Sequence, residues 1–563
     1  MPTYHDSFSA DLLSRIPLSA RNVLDVGCHT GALGAEYKRR NPGCRYFGIE
    51  MNPAAAAVAA TRLDDVATAD VETDPLPFGP GPFDCIIYGD VLEHLRDPWG
   101  LLQRHSGALG RNGIALACLP NAEHWSFAER LLRGTFAYEQ EGLFDRTHLR
   151  WFGFDSTWRA LAAAGLQPLD VAPRIFDAEA GNGFVRAMAP ALENLGIDRA
   201  AYTSRALPLQ YVWRAAAAAS EPLYIRSTML EHVGGVSHVR VVQPLRGLAT
   251  EPGVITDVAN DDSFDPPPAF ADAARIFVFH RPVLFGEAGL ARLRALIARG
   301  WLVVCEFDDH PAFLPAMQQD EMHSFRAVHA VQTSTEPLAA VLRKANPEVA
   351  VFPNAIERLP EVRNFKDPGH LTLLCAALNR EDEWPPLLDA LNAVAALAGE
   401  RLQFRIVADS GLFEALRTPH KRFVPLCDYE TYQGLLSESE ISLMPLADNA
   451  FNRCKSDLKF IEAAAHRVAT VASPVVYGQS IEDGRTGLLF RDGLDLQRRL
   501  LHLLANPEHA RAIADAARAS VRSRRMLAQQ TSARLAWYRS LWARRDELRR
   551  ELLARTPELA AAP

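Results

Sequence analysis

The sequence lacks any uninterrupted apolar run of about 18 residues, so we expect no segment that spans a membrane. Its first residues, MPTYHDSFSADLLSRIP, lack a basic patch followed by an apolar stretch, and we expect no signal peptide. A basic excess is also missing, since the net charge is −8, and this argues against a protein that coats nucleic acid. We therefore expect a cytoplasmic protein with no nucleic-acid partner and at most peripheral membrane contact.

Paired cysteines are absent too, because the eight cysteines form no CxxC motif. Most of them stand in apolar, strand-like runs, such as Val303-Val304-Cys305 and Leu373-Leu374-Cys375. This distribution predicts reduced thiols packed as small hydrophobic side chains, and it argues against a disulfide framework or a zinc site.

What the chain does contain is enough apolar sequence for several cores, with 48% hydrophobic and 23% charged residues over 563 positions. Strand-like runs alternate with helical patterns, which is typical of parallel α/β sheets. We predict three α/β units followed by a helical tail. The runs that mark the first, second and third unit begin at Asn22–Val26, Val239–Val241 and His370–Leu374, respectively. The alanine stretch Ala215–Ala219 predicts a boundary after the first unit.

A glycine-rich turn follows the first strand, in the segment Asp25-Val26-Gly27-Cys28-His29-Thr30-Gly31. Glycines allow a backbone to approach a ligand closely, and the end of a parallel strand is where α/β sheets bind small molecules. Glu50 follows Gly31 by 19 positions, at the end of the second strand. A carboxylate at that point can accept hydrogen bonds from a ribose diol.

This segment resembles the first motif of class I S-adenosylmethionine-dependent methyltransferases, which usually reads DVGCGTG. The resemblance implies that Asp25, Gly27 and Gly31 line the methionine end of the cofactor, that Glu50 binds its ribose, and that Asp70 faces its adenine. His29 replaces the middle glycine of the motif. A dinucleotide reductase is the competing interpretation, but Asp25 ahead of the glycines favours a methyl donor with an ammonium group.

Acids and histidines follow the fourth strand, where Asp90, Glu93 and His94 have the i, i+3 and i+4 spacing of one helical face. The plain interpretation is an acid-rich helix N-terminus with a hydrogen-bonded histidine. With His148, the four side chains could instead hold Mg²⁺ or another divalent metal that binds two adjacent hydroxyls. The set is similar to that of metal-dependent 2′-O-methyltransferases and ubiquinone-type O-methyltransferases. Without a metal, His94 or His148 could act as the general base.

The later part of the chain carries three segments that resemble nucleotide-sugar glycosyltransferases built from two Rossmann-like halves, the GT-B architecture. They occur in the family's order and are Ala330–Leu338 with Val349–Ala355, Lys455–Ala463 with Val468–Ser473, and Glu482–Leu489. The resemblance implies three Rossmann-like domains in the whole chain, with one methyltransferase sheet and two GT-B halves. It also implies a nucleotide sugar as co-substrate.

A sugar that leaves a nucleoside diphosphate requires stabilisation of the departing negative charge. Arg453, Lys455 and Lys459 are the candidate cations, near a helix start with Ser456 as its expected cap, and Arg380 is a further candidate. The resemblance assigns Glu462 to the ribose of the donor and makes Lys459 and Glu462 the catalytic pair. Many retaining relatives carry another glutamate eight residues earlier, and this chain has Cys454 there.

The middle unit is expected to bind the acceptor. Its candidate groups are Gly234-Gly235, His280-Arg281-Pro282 and Asp308-Asp309-His310-Pro311, the last two after strands. Each can equally be a turn, and His280 is the candidate catalytic residue among them.

We therefore predict a methyltransferase domain at 1–218, GT-B halves at 221–352 and 353–525, and C-terminal helices at 526–563. The predicted function is sugar transfer to a glycan or glycolipid acceptor, with O-methylation of a sugar hydroxyl, in bacterial surface or exported polysaccharide biosynthesis. Two alternatives stay open. One is an active methyltransferase joined to a degenerate, glycan-binding GT-B module, and the other is tailoring of a secondary metabolite.

Overall fold

The computed structural model describes residues 7–230, 234–261, 264–367, 369–376 and 381–560. The chain forms two compact units, Met1–Glu221 with Ala249–Gly253, and Pro222–Leu248 with Val254–Pro563. Among the described residues, no helix is both long enough and apolar enough to cross a membrane.

The first unit contains one seven-stranded sheet in the order β3-β2-β1-β4-β5-β7-β6, parallel except for β7, which runs antiparallel to both of its neighbours. Its strands are β1 Asn22–Val26, β2 Arg45–Glu50, β3 Asp65–Thr68, β4 Phe83–Gly89, β5 Leu109–Pro120, β6 Gln167–Arg174 and β7 Gln210–Ala216. Its helices are α1 Ala10–Leu13, α2 Ala32–Arg40, α3 Pro53–Ala59, α4 Pro98–Ser106, α5 Trp125–Arg133, α6 Phe154–Ala163, α7 Ala178–Asn194 and α8 Arg199–Ala206.

Both faces of this sheet are buried, which explains the nearly continuous apolar sequence of β1. Alternate side chains of a strand point to opposite faces, so Leu24 and Val26 join one core layer while Val23 joins the other. Both core layers therefore fix the position of β1, and with it the start of the glycine turn.

The second unit contains two six-stranded, entirely parallel sheets. The first has the order β13-β12-β11-β10-β8-β9, with β8 Leu223–Ser227, β9 Val254–Val258, β10 Ala274–His280, β11 Leu302–Glu306, β12 Ala330–Thr333 and β13 Val349–Val351. Its helices are α9 Gly234–Ser237, α10 Gln243–Ala249, α11 Gly286–Ala298, α12 Pro315–Gln318, α13 His323–Arg326 and α14 Glu336–Leu342.

The second of these sheets has the order β16-β15-β14-β17-β18-β19. Its strands are β14 Leu371–Ala376, β15 Leu402–Val407, β16 Lys421–Val424, β17 Ile441–Met444, β18 Ala469–Ala472 and β19 Leu488–Leu489. Its helices are α15 Leu388–Ala398, α16 Ser410–Ala415, α17 Tyr429–Ser437, α18 Ala450–Arg453, α19 Leu458–Ala465, α20 Gly493–Ala505 and α21 Pro507–Arg524.

The predicted helical tail consists of α22 Ala528–Ala543 and α23 Arg545–Arg555. Tyr538, Leu541 and Leu548 enter the core of the first sheet of this unit. The Tyr538 hydroxyl donates a hydrogen bond to Oε1 of Gln332 at 2.8 Å. Three α/β sheets and a helical tail confirm the predicted fold class.

One local prediction is wrong. Val239–Val241 is no strand but part of a π-helical turn, His238–Val242, that joins α9 to α10, and the unit's first strand is β8. The alternating β-branched pattern is misleading because Arg240 between the valines is also buried, in an ion pair with Glu306. The first unit's main segment ends at Glu221, just beyond the predicted alanine stretch, of which Ala215 and Ala216 form the buried end of β7.

The prediction about the cysteines is confirmed, because all eight are free thiols and seven of them are buried. They act as small core side chains, and burial raises the pKa of Cys375, for example, to about 12.

Candidate active sites

The glycine turn after β1 has the backbone conformation that its glycines suggest. Gly27 and Gly31 have φ values of 73° and 75°, in the left-handed region. A Cβ atom on Gly27 would come within 2.5 Å of the Val91 side chain, so no larger residue fits. His29, in the position of the motif's middle glycine, is also left-handed with φ 53°, a conformation that costs a non-glycine residue roughly 1–2 kcal/mol.

Glu50 holds this turn in place. Its Oε2 accepts a hydrogen bond from the backbone N–H of His29 at 2.9 Å, and its Oε1 accepts one from Asn52 at 2.8 Å. A carboxylate has about four acceptor positions, so lone pairs are left for a ribose diol. The role in cofactor binding stays a prediction, but the local geometry suits it.

Asp25 and Asp70 differ in environment. Asp25 is buried, its Oδ2 accepts a hydrogen bond from the Tyr46 hydroxyl at 3.0 Å, and burial raises its pKa to about 7. Asp70 is half-buried after β3 and accepts a hydrogen bond from the backbone N–H of Glu72 at 2.9 Å. Contacts of either residue with a cofactor stay predictions.

Three of the four predicted metal ligands come together. Glu93, His94 and His148 each offer a ligand atom, and these atoms lie within 4.8 Å of one another. The expected helix is absent from this segment, because only the single 3₁₀ turn Leu92–His94 forms. The rings of His94 and His148 meet edge to face with centroids 4.8 Å apart.

The donor set of this cluster suits a divalent ion. Oε2 of Glu93 is buried and has no hydrogen-bond partner among the described residues. Nδ1 of His148 lies 3.3 Å from the carbonyl oxygen of Leu143, and Nδ1 of His94 lies 3.0 Å from Oγ1 of Thr147. With both Nδ1 atoms donating to oxygen, both Nε2 atoms keep a lone pair for a metal, as is usual for metal-binding histidines.

The charges around the cluster are also consistent with a cation. Burial, with the neighbouring charge of Asp90, raises the pKa of Glu93 well above its usual value. Burial, with the charge of His94, lowers the pKa of His148. The hydroxyl of Thr147 donates a hydrogen bond to Oδ1 of Asp145 at 2.7 Å, so that carboxylate supports the orientation of His94.

Asp90 does not join the three-residue cluster. Its φ is 55°, and its Oδ1 accepts a hydrogen bond from Nε2 of Gln210 at 2.5 Å. It does line the same cavity of about 330 Å³, together with Asp145 and the apolar side chains of Leu143 and Phe176. Three of the four predicted ligands thus form one cluster, and Asp90 lies beside it.

A second cavity, of about 220 Å³, is lined by Lys459 and Glu462 in the GT-B part of the chain. Glu462 is buried on α19, and its Oε1 accepts hydrogen bonds from the Tyr429 hydroxyl at 2.9 Å and from Nε2 of Gln433 at 3.2 Å. Burial raises the pKa of Glu462 to about 7, against the opposing effects of Tyr429, Lys459 and Gln433. Sequence reasoning missed Tyr429 and Gln433, whose only signal is their position on the helix after β16.

The predicted cations do not form one cluster. Nζ of Lys459 donates to the carbonyl oxygen of Ala376 at 2.6 Å, at the carboxyl end of β14. Arg453, at the end of α18, forms an exposed ion pair with Asp448, and Nζ of Lys455 lies 3.6 Å from Oδ1 of Asp309. Of the three cations, only Lys459 lines the cavity. Arg380 lies outside the described residues.

The expected cap of α19 is wrong as well, because Asp457 and not Ser456 precedes its first turn. Ser456 instead accepts a hydrogen bond on Oγ from Nδ2 of Asn354 at 2.8 Å. Arg525 pairs with Asp457 and donates to the carbonyl oxygen of Asn354 at 3.0 Å. The segment before Lys459 is therefore tied to the link between the two halves.

Asn354 also connects this segment to a buried ion pair. Its Oδ1 accepts a hydrogen bond from Nη1 of Arg240 at 2.8 Å, and Nε of Arg240 lies 2.9 Å from Oε1 of Glu306. Both charged side chains are almost completely buried, so removing either one would leave an uncompensated charge inside the protein.

The candidate acceptor residues lie at the carboxyl ends of β10 and β11. His280 is buried, accepts a hydrogen bond on Nδ1 from the Leu230 N–H at 3.4 Å, and leaves Nε2 without a partner among the described residues. Burial lowers the pKa of His280 to about 4. Arg281 pairs with Asp308 at 2.6 Å. Gly235 on α9 lines the Glu462 cavity, and a Cβ atom there would come within 2.9 Å of the Tyr429 ring.

Comparisons with known proteins agree with this division. Residues 24–115 match the family model of a methyltransferase domain, and residues 385–536 match that of a glycosyl transferase-like family. The first is part of the unit with the glycine turn, and the second contains Lys459 and Glu462.

Individual relatives cover only parts of the chain. The trans-aconitate 2-methyltransferase of Methylobacterium nodulans is 32% identical over 114 residues, which are 20% of this chain and 44% of that protein. The ubiquinone biosynthesis O-methyltransferase of Azorhizobium caulinodans is 27% identical over 177 residues, 30% of this chain and 68% of that protein. The chain thus spans less than half of the first relative and about two thirds of the second.

A similar solved structure is that of sucrose-phosphate synthase from Thermosynechococcus elongatus, with 15% identity and a TM-score of 0.41 over 57% of this chain and 100% of that one.

The family matches divide the chain into a methyltransferase-like part and a glycosyltransferase-like part. The N-terminal part of the chain carries a methyltransferase domain, and the C-terminal part carries a glycosyltransferase-like domain of GT-B architecture.

Glu50 provides a test of the predicted cofactor site. Its replacement by alanine removes charge-assisted acceptors for the ribose diol, so we expect S-adenosylmethionine to bind more weakly by about 1.5–3 kcal/mol in calorimetry. Asp65→Ala, at an exposed position on the neighbouring strand, is the matched control and should bind normally. An unchanged affinity of Glu50→Ala for S-adenosylmethionine would show that Glu50 does not bind the cofactor.

Proposed function

We propose that the chain is a bifunctional enzyme that transfers a sugar from a nucleotide sugar to a glycan or glycolipid acceptor and O-methylates a sugar hydroxyl with S-adenosylmethionine. The observation that carries the methylation part is the Glu93, His94 and His148 cluster, since its ligand atoms fit a divalent ion. We further propose that the enzyme acts in the biosynthesis of a bacterial surface or exported polysaccharide, since a growing glycan can accept both a sugar and a methyl group.

The methyl donor site is supported by the turn that Glu50 orders. The left-handed residues Gly27, His29 and Gly31 keep the backbone close and leave the end of β1 open toward a ligand. The carboxylate of Glu50, which lies beside this turn, would bind the ribose hydroxyls and so orient the cofactor.

The acceptor hydroxyl would bind at the histidine cluster. A bound divalent ion would supply a Lewis acid that holds two adjacent hydroxyls and favours loss of one proton. Glu93, His94 and His148 would hold that ion, while Asp90 and Gln210 line the same cavity with further hydrogen-bonding groups. The hydrogen-bonding groups of Asp90, Glu93 and Gln210 would suit a sugar diol, beside the apolar side chains of Leu143 and Phe176.

Sugar transfer is supported by the position of Lys459 and Glu462 in the lining of one cavity. The ammonium group of Lys459 would stabilise the negative charge that develops on the departing diphosphate. The orientation of Glu462 is fixed by Tyr429 and Gln433, which leaves Oε2 for a donor hydroxyl. His280, with a buried Nε2 that lacks a partner among the described residues, would face the acceptor from the other half.

One observation favours a second function, a glycan-binding module without transfer activity. The position that is a glutamate in many retaining relatives is Cys454, a buried thiol, and burial with the charge of Asp309 raises its pKa. A protonated thiol cannot accept a strong hydrogen bond from a sugar. The Lys459 and Glu462 pair opposes this alternative, and the variant below distinguishes the two.

Lys459→Ala should slow sugar transfer by roughly a hundredfold or more. Groups that stabilise transition-state charge contribute about 2.7–4 kcal/mol, and each 1.36 kcal/mol is about tenfold in rate. The measurement is release of nucleoside diphosphate from a panel of nucleotide sugars. Lys366→Ala, an exposed lysine of the same half, is the control and should keep full activity. A rate unaffected by Lys459→Ala would favour the binding module.

The metal part of the proposal predicts that the protein binds Mg²⁺ or Mn²⁺ through the cluster. Chelator should abolish methyl transfer while S-adenosylmethionine still binds, because Glu50 and the glycine turn need no metal. Glu93→Gln should lose the divalent ion in calorimetry, whereas Glu179→Gln, an exposed position on α7, should retain it. Full methylation in excess chelator would leave His94 or His148 as a plain general base.

A further inference from the structure

A third cavity, lined mainly by polar groups, lies at the amino edge of the first sheet of the second unit. It has a volume of about 240 Å³ and is bordered by the beginnings of β10 and β11 and by the tail helices α22 and α23. His280, Arg281 and Asp308 follow the opposite, carboxyl ends of these parallel strands. The cavity is therefore separate from the proposed transfer sites.

The lining of this cavity is strongly basic in a chain whose net charge is −8. Four arginines line it, Arg275, Arg299, Arg545 and Arg549, against the single carboxylate of Asp546. Clustered guanidinium groups are the usual protein donors to phosphate and carboxylate, because their N–H groups match two oxygens at once.

Most of this positive charge is not neutralised internally. Arg299 pairs with Asp265 at 2.9 Å. Arg275 donates only to backbone carbonyl oxygens, at Ala271, Ala273 and Arg299. Arg545 donates to the carbonyl oxygen of Trp542 at 3.2 Å. In the described parts of the chain, no carboxylate forms an ion pair with Arg275, Arg545 or Arg549.

A buried histidine adds an oriented donor. His329 is only 3% exposed, and its Nδ1 accepts a hydrogen bond from the Val303 N–H at 3.0 Å. The neutral ring must therefore carry its hydrogen on Nε2, which no described residue accepts. Burial, with the charges of Arg549 and Arg555, lowers the pKa of His329 to about 4, so the ring is a neutral donor at neutral pH.

Trp542 gives the cavity an apolar side, and Trp301 lies beneath it in the core with 2% of its surface exposed. The indole N–H of Trp301 is used, since it donates to the carbonyl oxygen of Phe264 at 2.6 Å, and Trp542 is half-buried. Aromatic rings beside charged donors suit a ligand with one apolar face and one anionic group. The volume of about 240 Å³ lies below the range of about 300–1,000 Å³ that is typical of pockets for drug-sized ligands.

We propose that this cavity binds a monosaccharide that carries a phosphate or a carboxylate, either free or as a unit of an anionic glycan. The guanidinium groups of Arg275, Arg545 and Arg549 would bind the anion, and the half-buried Trp542 would face the sugar ring. The site requires neither transfer activity, so it can exist whichever function of the chain is correct.

The test is calorimetry on the full chain with four small probes: glucose 1-phosphate, galacturonic acid, glucose and inorganic phosphate. Arg545→Gln/Arg549→Gln removes two exposed cations of the lining. Arg550→Gln, an exposed arginine on the same helix outside the lining, is the matched control. Arg549→Gln alone is the milder variant, and equal melting temperatures verify that each protein is folded.

We expect glucose 1-phosphate or galacturonic acid to bind the wild type and the control equally, and the double variant at least tenfold more weakly. Added salt should weaken binding. A galacturonic acid trimer that binds more tightly than the monomer would identify the glycan unit as the source, and equal binding would identify the free sugar anion. Glucose should not bind measurably.

Other outcomes would overturn the proposal. If the double variant bound the sugar anion as tightly as the wild type, the binding site would lie elsewhere, for example in the Lys459 cavity. Inorganic phosphate that binds as tightly as glucose 1-phosphate would remove the role of the sugar. Phosphatidylglycerol vesicles that require Arg545 and Arg549, with no sugar anion bound, would make the surface a membrane contact.

Discussion

Parallel pairing of the strands is the constraint on which the rest of this structure depends. In a parallel sheet all carboxyl ends of the strands lie along one edge, so the turns that follow different strands become neighbours. Glu50 after β2 thus meets the backbone of His29 after β1, at 2.9 Å. Lys459 reaches the carbonyl oxygen of Ala376 at the end of β14 in the same way. Residues distant in sequence meet because the sheets leave them no alternative.

Those contacts explain why much of the sites was accessible from sequence. The candidate residues follow strands whose apolar pattern is clear. In the first unit the sheet brings Glu50 to the glycine turn, and in the second unit Lys459 and Glu462 line one cavity. The same reasoning was less accurate for Asp90, Glu93 and His94, because it assumed a helix where a single 3₁₀ turn forms. Glu93, His94 and His148 still converge, since His148 arrives from a separate loop.

Other contacts between distant segments were beyond sequence reasoning. Arg525 pairs with Asp457 across 68 positions, and Asn354 reaches Ser456 across 102. No local periodicity encodes such pairs, so the cap of α19 was assigned to the wrong residue. The strand predicted at Val239–Val241 is wrong for another reason. Arg240 between the two valines suggested an alternating strand, but it is buried in an ion pair with Glu306 that the sequence does not reveal. Tyr429 and Gln433 were missed because their partner Glu462 lies about 30 positions away.

Each candidate transfer site is built from residues of its own compact unit. The glycine turn and the histidine cluster belong to the first unit, and the cavity with Lys459 and Glu462 belongs to the second. The central claim is therefore that one chain holds two independent ligand sites, one for a methyl donor and one for a sugar nucleotide.

Binding stoichiometry tests that claim most directly. The full chain would be titrated with S-adenosylmethionine in the presence and absence of a saturating nucleoside diphosphate, chosen from a panel by binding. The account predicts one equivalent of each ligand per chain, with neither affinity changed by the other ligand. Competition, in which the diphosphate displaces S-adenosylmethionine from a shared site, would contradict it.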